Sequence, residues 1–268
     1  MKVKTITLLT DFGLKDPYVG IMKGVILSIN QDVRIVDITH EIEPQDIREG
    51  AFLLKEYYQY FPKGSIHVAI VDPTVGSKRR ALALYKDGHI FIGPDNGIFS
   101  LLIESDTESY AVTNRDFMLK QISSSFHGRD VFAPIAAHFA FGLHPSVLGE
   151  RVIDLVCLTN IYPDIINAVL IGEVVRFDKF GNAITNIDIE TFNDFTSGNK
   201  FKISVGNIAF GSLHKSYFEQ DYTCITGSSG YLEFGYYKGN FQEKAGIKKG
   251  EAVTVRTEIG RASCRERV

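Results

Sequence analysis

Three apolar runs rich in β-branched residues, Thr5–Thr10, Arg34–Ile38 and Ile66–Val71, alternate with two runs of helical period. The first helical run presents Tyr18, Ile21, Met22, Val25, Ile26 and Ile29 on one face. Asp16 is expected as its N-cap, with Pro17 at the first helical position. The second begins at Asp46 and stripes Ile47, Ala51, Leu54 and Tyr58. Strand–helix alternation of this kind predicts parallel pairing with covering helices, joined by right-handed crossovers. Asp11, His40 and Asp72 then leave one edge of the sheet, at the carboxyl ends of strands, where ligands of open α/β sheets bind.

Beyond Asp72 the chain turns at Pro73, which cannot donate to a ladder, and at Gly76. Arg79 and Arg80 follow, then strand-like runs at Ala81–Tyr85 and Ile90–Ile92. Gly93-Pro94-Asp95-Asn96-Gly97 has the composition of a tight turn. Phe126-His127-Gly128-Arg129-Asp130 opens a further helix with Val131, Phe132, Ile135, Ala136 and Phe139 on its inner face. From Val169 the pattern changes to short strands separated by Gly, Asn, Asp and Ser clusters, with little helical period. The expected fold is an α/β N-terminal domain over 1–165, with a mostly parallel sheet and covering helices, and a small all-β C-terminal barrel over 166–257. Residues 258–268 are unlike the chain before them and read as a non-native tail, so no function is assigned to them.

A net charge of -3 gives no field for nucleic acid or a membrane surface, and no apolar run is long enough to span a bilayer. Met1-Lys2-Val3-Lys4 leads directly into a strand without a signal-peptide core, so the cytoplasm is expected. Cys157, Cys224 and Cys264 lack metal or redox spacing.

Chemistry concentrates in the loops. Asp72 and Arg79 pair an acid with a cation at a strand end, or form a solvated surface bridge. His127 precedes a helix N-terminus, which lowers the proton affinity of an imidazole. A neutral ring beside Asp72 and Arg79 can orient or deprotonate water. The other histidines, His40, His67, His89, His138, His144 and His214, are read as structural or exposed. Asp11 can accept two ribose hydroxyls or cap a turn. Asp95 and Asn96 are turn residues, although Asn96 can also present its amide to a ligand. Asp178 and Asn182 flank a glycine turn that a hairpin explains as well as a ligand does. The loop carrying Ser228, Ser229 and Glu233 offers unhindered backbone N–H groups for a carboxylate or a base edge.

Taken in order, Thr10-Asp11-Phe12-Gly13, Asp16-Pro17-Tyr18-Val19-Gly20, Met22-Lys23-Gly24, Val71-Asp72-Pro73-Thr74-Val75-Gly76, Gly93-Pro94-Asp95-Asn96-Gly97, Phe126-His127-Gly128-Arg129-Asp130 and Phe180-Gly181-Asn182 through Thr185-Asn186 resemble the S-adenosyl-L-methionine (SAM) hydroxide adenosyltransferases, the adenosine-forming SAM hydrolases related to fluorinase and chlorinase. The resemblance implies attack of water or hydroxide on the ribose C5′ of SAM, releasing adenosine and L-methionine, with SAM as substrate and no cofactor or metal. It implies a homotrimer whose site lies between the N-terminal domain of one subunit and the C-terminal domain of the next. It places the water-handling triad on Asp72, Arg79 and His127 and the ribose carboxylate on Asp11. Asp16, Asp178 and Asn182 fall near the methionine end and the nucleoside, Phe126 beside the nucleoside, and Ser228 and Ser229 in the loop that contacts the methionine carboxylate. That loop bears arginine in fluorinase, and Phe234-Gly235-Tyr236-Tyr237 also departs from the family's pattern. Two other readings stand beside this one: a SAM-dependent halogenase and a non-catalytic SAM or adenosine sensor. The halogenases carry tyrosine where Asp72 stands and lack the Arg and His.

Overall fold

The structure is a computed structural model that describes residues 3–257. The tail 258–268, with Cys264, lies outside the described residues. The chain forms two compact units, the first ending at Thr159 and the second beginning at Asn160.

The first unit is built on a six-stranded sheet of order β2-β1-β3-β5-β4-β6. Its elements are β1 (Lys4–Thr10), α1 (Tyr18–Ile29), β2 (Val33–Thr39), α2 (Ile47–Tyr57), β3 (Ile66–Ile70), β4 (Ala81–Lys86), β5 (His89–Pro94), β6 (Glu108–Ala111) and α3 (Ala133–Phe139). Strands β2, β1, β3 and β5 run parallel, as the alternation predicts. Thr10 pairs with Ile70 and Leu9 with Thr39, so the loops after β1, β2 and β3 leave the same edge. The sheet is nevertheless mixed, because β4 is antiparallel to both β5 and β6. The cause is local. Asp87 and Gly88 both have positive φ (52° and 82°), which makes a two-residue turn whose twist matches a hairpin.

Alternation along the strands feeds two cores. Ile6, Leu8, Val68 and Ile92 pack with Met22 and Ile26 of α1 and with Phe132 and Ile135. Leu9, Ala69 and Phe91 pack on the other face with Leu54 and Tyr58. Each of the Val, Leu, Ile, Met and Phe side chains contributes about 1.5–3 kcal/mol on full burial. Two details differ from the expectation. Helix α1 buries Val19, Met22 and Ile26, whereas Tyr18 and Ile21 are exposed. Its N-cap position falls on Pro17, with no side-chain cap bond, so Asp16 does not cap it.

His67 and His89 are buried within the sheet. His67 Nε2 lies 3.1 Å from His89 Nδ1, and its Nδ1 lies 2.9 Å from Thr7 Oγ1. Burial pushes the His67 ring down to about 3, so it is neutral and structural.

The second unit contains β7 (Asp164–Ile166), β8 (Val169–Phe177), β9 (Ala183–Asp188), α4 (Ile189–Thr196), β10 (Phe201–Val205), β11 (Ile208–Phe210), β12 (Tyr222–Thr226), β13 (Tyr231–Tyr236), α5 (Phe241–Ala245) and β14 (Ala252–Thr257). Its strands form one antiparallel, barrel-like sheet of order β11-β10-β14-β8-β9-β13-β12, with β7 added beside β8. Leu170, Val174, Ile203, Phe234 and Val253 converge inside it. It is not all-β. Asp188 caps α4 by accepting the Thr191 N–H at 2.8 Å, and Asn240 caps α5 by accepting the Glu243 N–H at 3.0 Å. Helix α4 spans eight residues and buries only Phe192 and Thr196, which is too little for a visible helical period. Among the described residues, no helix is long and apolar enough to cross a membrane.

Candidate active site

Strand β3 ends one residue before Val71, and Asp72 begins a loop that folds back on itself. Ser77 N donates to Thr74 O at 3.1 Å, and Arg79 N donates to Ser77 Oγ at 3.2 Å. These bonds return the Arg79 side chain to Asp72. Arg79 Nε donates to Asp72 Oδ1 at 3.0 Å and Nη2 donates to Oδ2, giving a two-pronged pair. The pair is not a solvated bridge. The Asp72 side chain is 4% exposed and that of Arg79 is 7% exposed. The guanidinium also stands over the Phe132 ring, 5.5 Å from its centroid.

Gly76 joins this loop to the segment bearing His127. Its φ is +80°, and a Cβ there would come within 2.2 Å of Ser124 O. His127 immediately precedes a π-helical turn, Gly128–Phe132, that leads into α3. Arg79 Nη2 donates to His127 Nδ1 at 3.0 Å. A guanidinium can only donate, so Nδ1 is bare and the ring proton is on Nε2. Burial, and then the Arg79 charge, hold the imidazole below its ordinary value, whereas Asp72 and Asp130 act the other way. The ring is therefore neutral at pH 7. Arg79 bridges Asp72 and His127, and it occupies the His127 lone pair. The ring is placed to orient a water through Nε2–H, and its Nδ1 is not open to take a proton.

The other expected residues of this unit make contacts of their own. Asp11 Oδ2 accepts the Gln45 N–H at 2.9 Å, and Gln45 has a φ of 70°. Phe126 meets Tyr18 edge-on at 5.2 Å and Phe12 at 6.1 Å. The Arg129 guanidinium lies 5.2 Å from the Phe126 ring centroid. Phe12 and Tyr18 thus join Phe126 in an aromatic cluster that no local sequence pattern marks. Asp16 is exposed. Asn96 donates its Nδ2 to Val71 O at 2.8 Å, so its amide is engaged by the chain itself.

In the second unit Asp178 organises a turn. Its Oδ1 accepts Phe180 N at 2.9 Å and Asn182 N at 2.8 Å, and its Oδ2 accepts Asn182 Nδ2 at 2.9 Å. Phe180 stands exposed at the tip. Glu233 is buried and accepts the Tyr217 hydroxyl, whose proton is held more tightly than usual by burial and then by that carboxylate. Nothing near Tyr217 in the sequence signals this pairing. Ser228 and Ser229 sit in the turn between β12 and β13, which Gly230 N closes on Gly227 O at 3.0 Å.

A mixed sheet with an Asp–Arg–His cluster at its carboxyl edge, followed by an antiparallel barrel-like unit, defines a class of two-part α/β-plus-β enzymes. The chain belongs to the SAM hydroxide adenosyltransferase family: the family's N-terminal domain matches residues 6–149 and its C-terminal domain matches residues 172–254. It is 35% identical to an (R)-S-adenosyl-L-methionine hydrolase of Thermus thermophilus over 94% of this chain and 99% of the relative. A fluorinase of Nocardia brasiliensis is 29% identical over 76% of this chain and 78% of its own length. An uncharacterized conserved protein of Thermotoga maritima has the same fold, with a TM-score of 0.85 and 33% identity over 94% of this chain and 99% of that one.

Proposed function

We propose that this protein hydrolyses SAM to adenosine and L-methionine by attack of activated water on the ribose C5′. The observation that carries this reading is the buried Asp72–Arg79–His127 cluster. The C5′–S bond breaks with its electron pair going to sulfur. A water oxygen forms the new C5′–O bond, and its proton leaves to solvent. The sulfonium departs as a neutral thioether, so no acid is required at sulfur, and the step as written calls for no metal or redox cofactor. The difficult part is the nucleophile. Arg79, held by Asp72, supplies positive charge for a developing hydroxide, and His127 Nε2–H supplies a fixed donor. Holding water and C5′ in line accounts for about 7–11 kcal/mol in well-oriented systems.

Asp11 takes the ribose hydroxyls in this scheme, and Phe126 stacks beside the nucleoside. Asp16, Asp178, Asn182, Ser228, Ser229 and Glu233 are assigned to substrate binding in a cytoplasmic homotrimer. The runner-up is halogenation. A carboxylate in the place of Asp72 offsets the Arg79 charge that would otherwise hold a halide, which favours hydrolysis. Chromatography of SAM incubations with and without chloride or fluoride separates the readings. Adenosine and methionine in equal amounts, unaffected by halide, are expected. A 5′-halo-5′-deoxyadenosine supports the halogenase, and tight binding with intact SAM supports a sensor.

A further inference from the structure

The Gly93–Gly97 turn has no role in the chemistry described so far, yet both of its central side chains reach the loop that carries the triad. Asn96 Nδ2 donates to the carbonyl of Val71, the residue before Asp72, at 2.8 Å. Asp95 Oδ2 accepts Arg80 Nε at 2.7 Å, and Arg80 is the residue after Arg79. The backbone repeats the link, with Asp95 N donating to Arg80 O at 3.0 Å. That same carbonyl accepts Arg79 Nη1 at 3.5 Å. Asp95 Oδ1 accepts Val156 N at 2.9 Å, and Arg80 Nη1 donates to Asp154 Oδ1 at 2.7 Å. The Asp95 side chain is 3% exposed, so its charge is matched inside the protein and not by water.

We propose that Asp95 and Asn96 are positioning residues that fix the Asp72–Arg79 pair by gripping the chain on either side of it. Two consecutive arginines face two buried carboxylates, and only one pairing aims Arg79 at His127. Asp95 takes Arg80 and leaves Asp72 to Arg79. Asn96 sets where β3 releases Asp72. The inference rests on the role given to this pair in the proposed hydrolysis, and it reassigns Asn96 from substrate contact to support.

The test compares Asp95→Asn and the more exposed Arg80→Gln with the wild type in three measurements: kcat and KM for SAM, melting temperature, and the NMR titration of the His127 ring, assigned by its loss in His127→Gln. A positioning role predicts that kcat falls about 10- to 100-fold while KM stays within about threefold, because misaiming acts on the reacting geometry. The His127 pKa rises toward the ordinary histidine value as Arg79 moves away. The loss in kcat disappears in an Arg79→Ala background, because the effect passes through Arg79. Unchanged kcat and an unchanged His127 titration in folded variants overturn the proposal. A raised KM at constant kcat also overturns it and places this turn in substrate binding instead. If the wild type leaves SAM intact, the hydrolase reading fails, and the His127 titration still decides whether the turn positions Arg79.

Discussion

Asp72→Ala is expected to lower kcat for SAM by about a hundred- to a thousand-fold and to change KM by less than about threefold. Asp72 accepts both the Nε and the Nη2 prongs of Arg79, and Nη2 also donates to His127. Without the carboxylate, a guanidinium that is 7% exposed keeps its charge, because arginine does not deprotonate, and it turns toward whatever acceptor is near. Its alignment with His127 is lost with it. In the proposed hydrolysis these groups act on water and not on the bound sulfonium, so the loss is expected in the transition state and not in the ground state. Asp72→Asn keeps the shape and one acceptor oxygen, and should fall between wild type and alanine. Steady-state kinetics together with calorimetric SAM binding check the result. Equal losses in affinity and rate would mean that Asp72 holds substrate.

Asp11→Ala is expected to do the reverse, raising KM about 100-fold with a much smaller change in kcat. Hydrogen bonds to a charged group contribute about 1.5–3 kcal/mol each, and about 2.8 kcal/mol corresponds to a hundredfold in affinity. The carboxylate is preset for this role, since Gln45 N already fixes its Oδ2 from a left-handed backbone position. A SAM analogue lacking both ribose hydroxyls should bind the wild type poorly and lose nothing further in the variant. A variant with normal KM and low kcat would place Asp11 in the chemistry instead.

The sequence made much of this site legible, for a physical reason. Period-two and period-3.6 patterns mark β1, α1, β2, α2 and β3, and a parallel sheet brings Asp11, His40 and Asp72 to one edge. Other features depend on contacts that no local pattern encodes. That Arg79 stands between Asp72 and His127 follows from a loop folding back by way of Ser77 and Gly76. Arg80 finds Asp95, and Tyr217 finds Glu233, only in three dimensions. The antiparallel β4 was readable in the Asp87-Gly88 pair, whereas α4 hides because just two of its side chains are buried.

The most direct test of directed water attack at C5′ is turnover of SAM in water enriched in oxygen-18, with both products analysed by mass spectrometry. The scheme predicts the label in the 5′-hydroxyl of adenosine and unlabelled methionine. Unlabelled adenosine, or label carried by the amino-acid product, would contradict it.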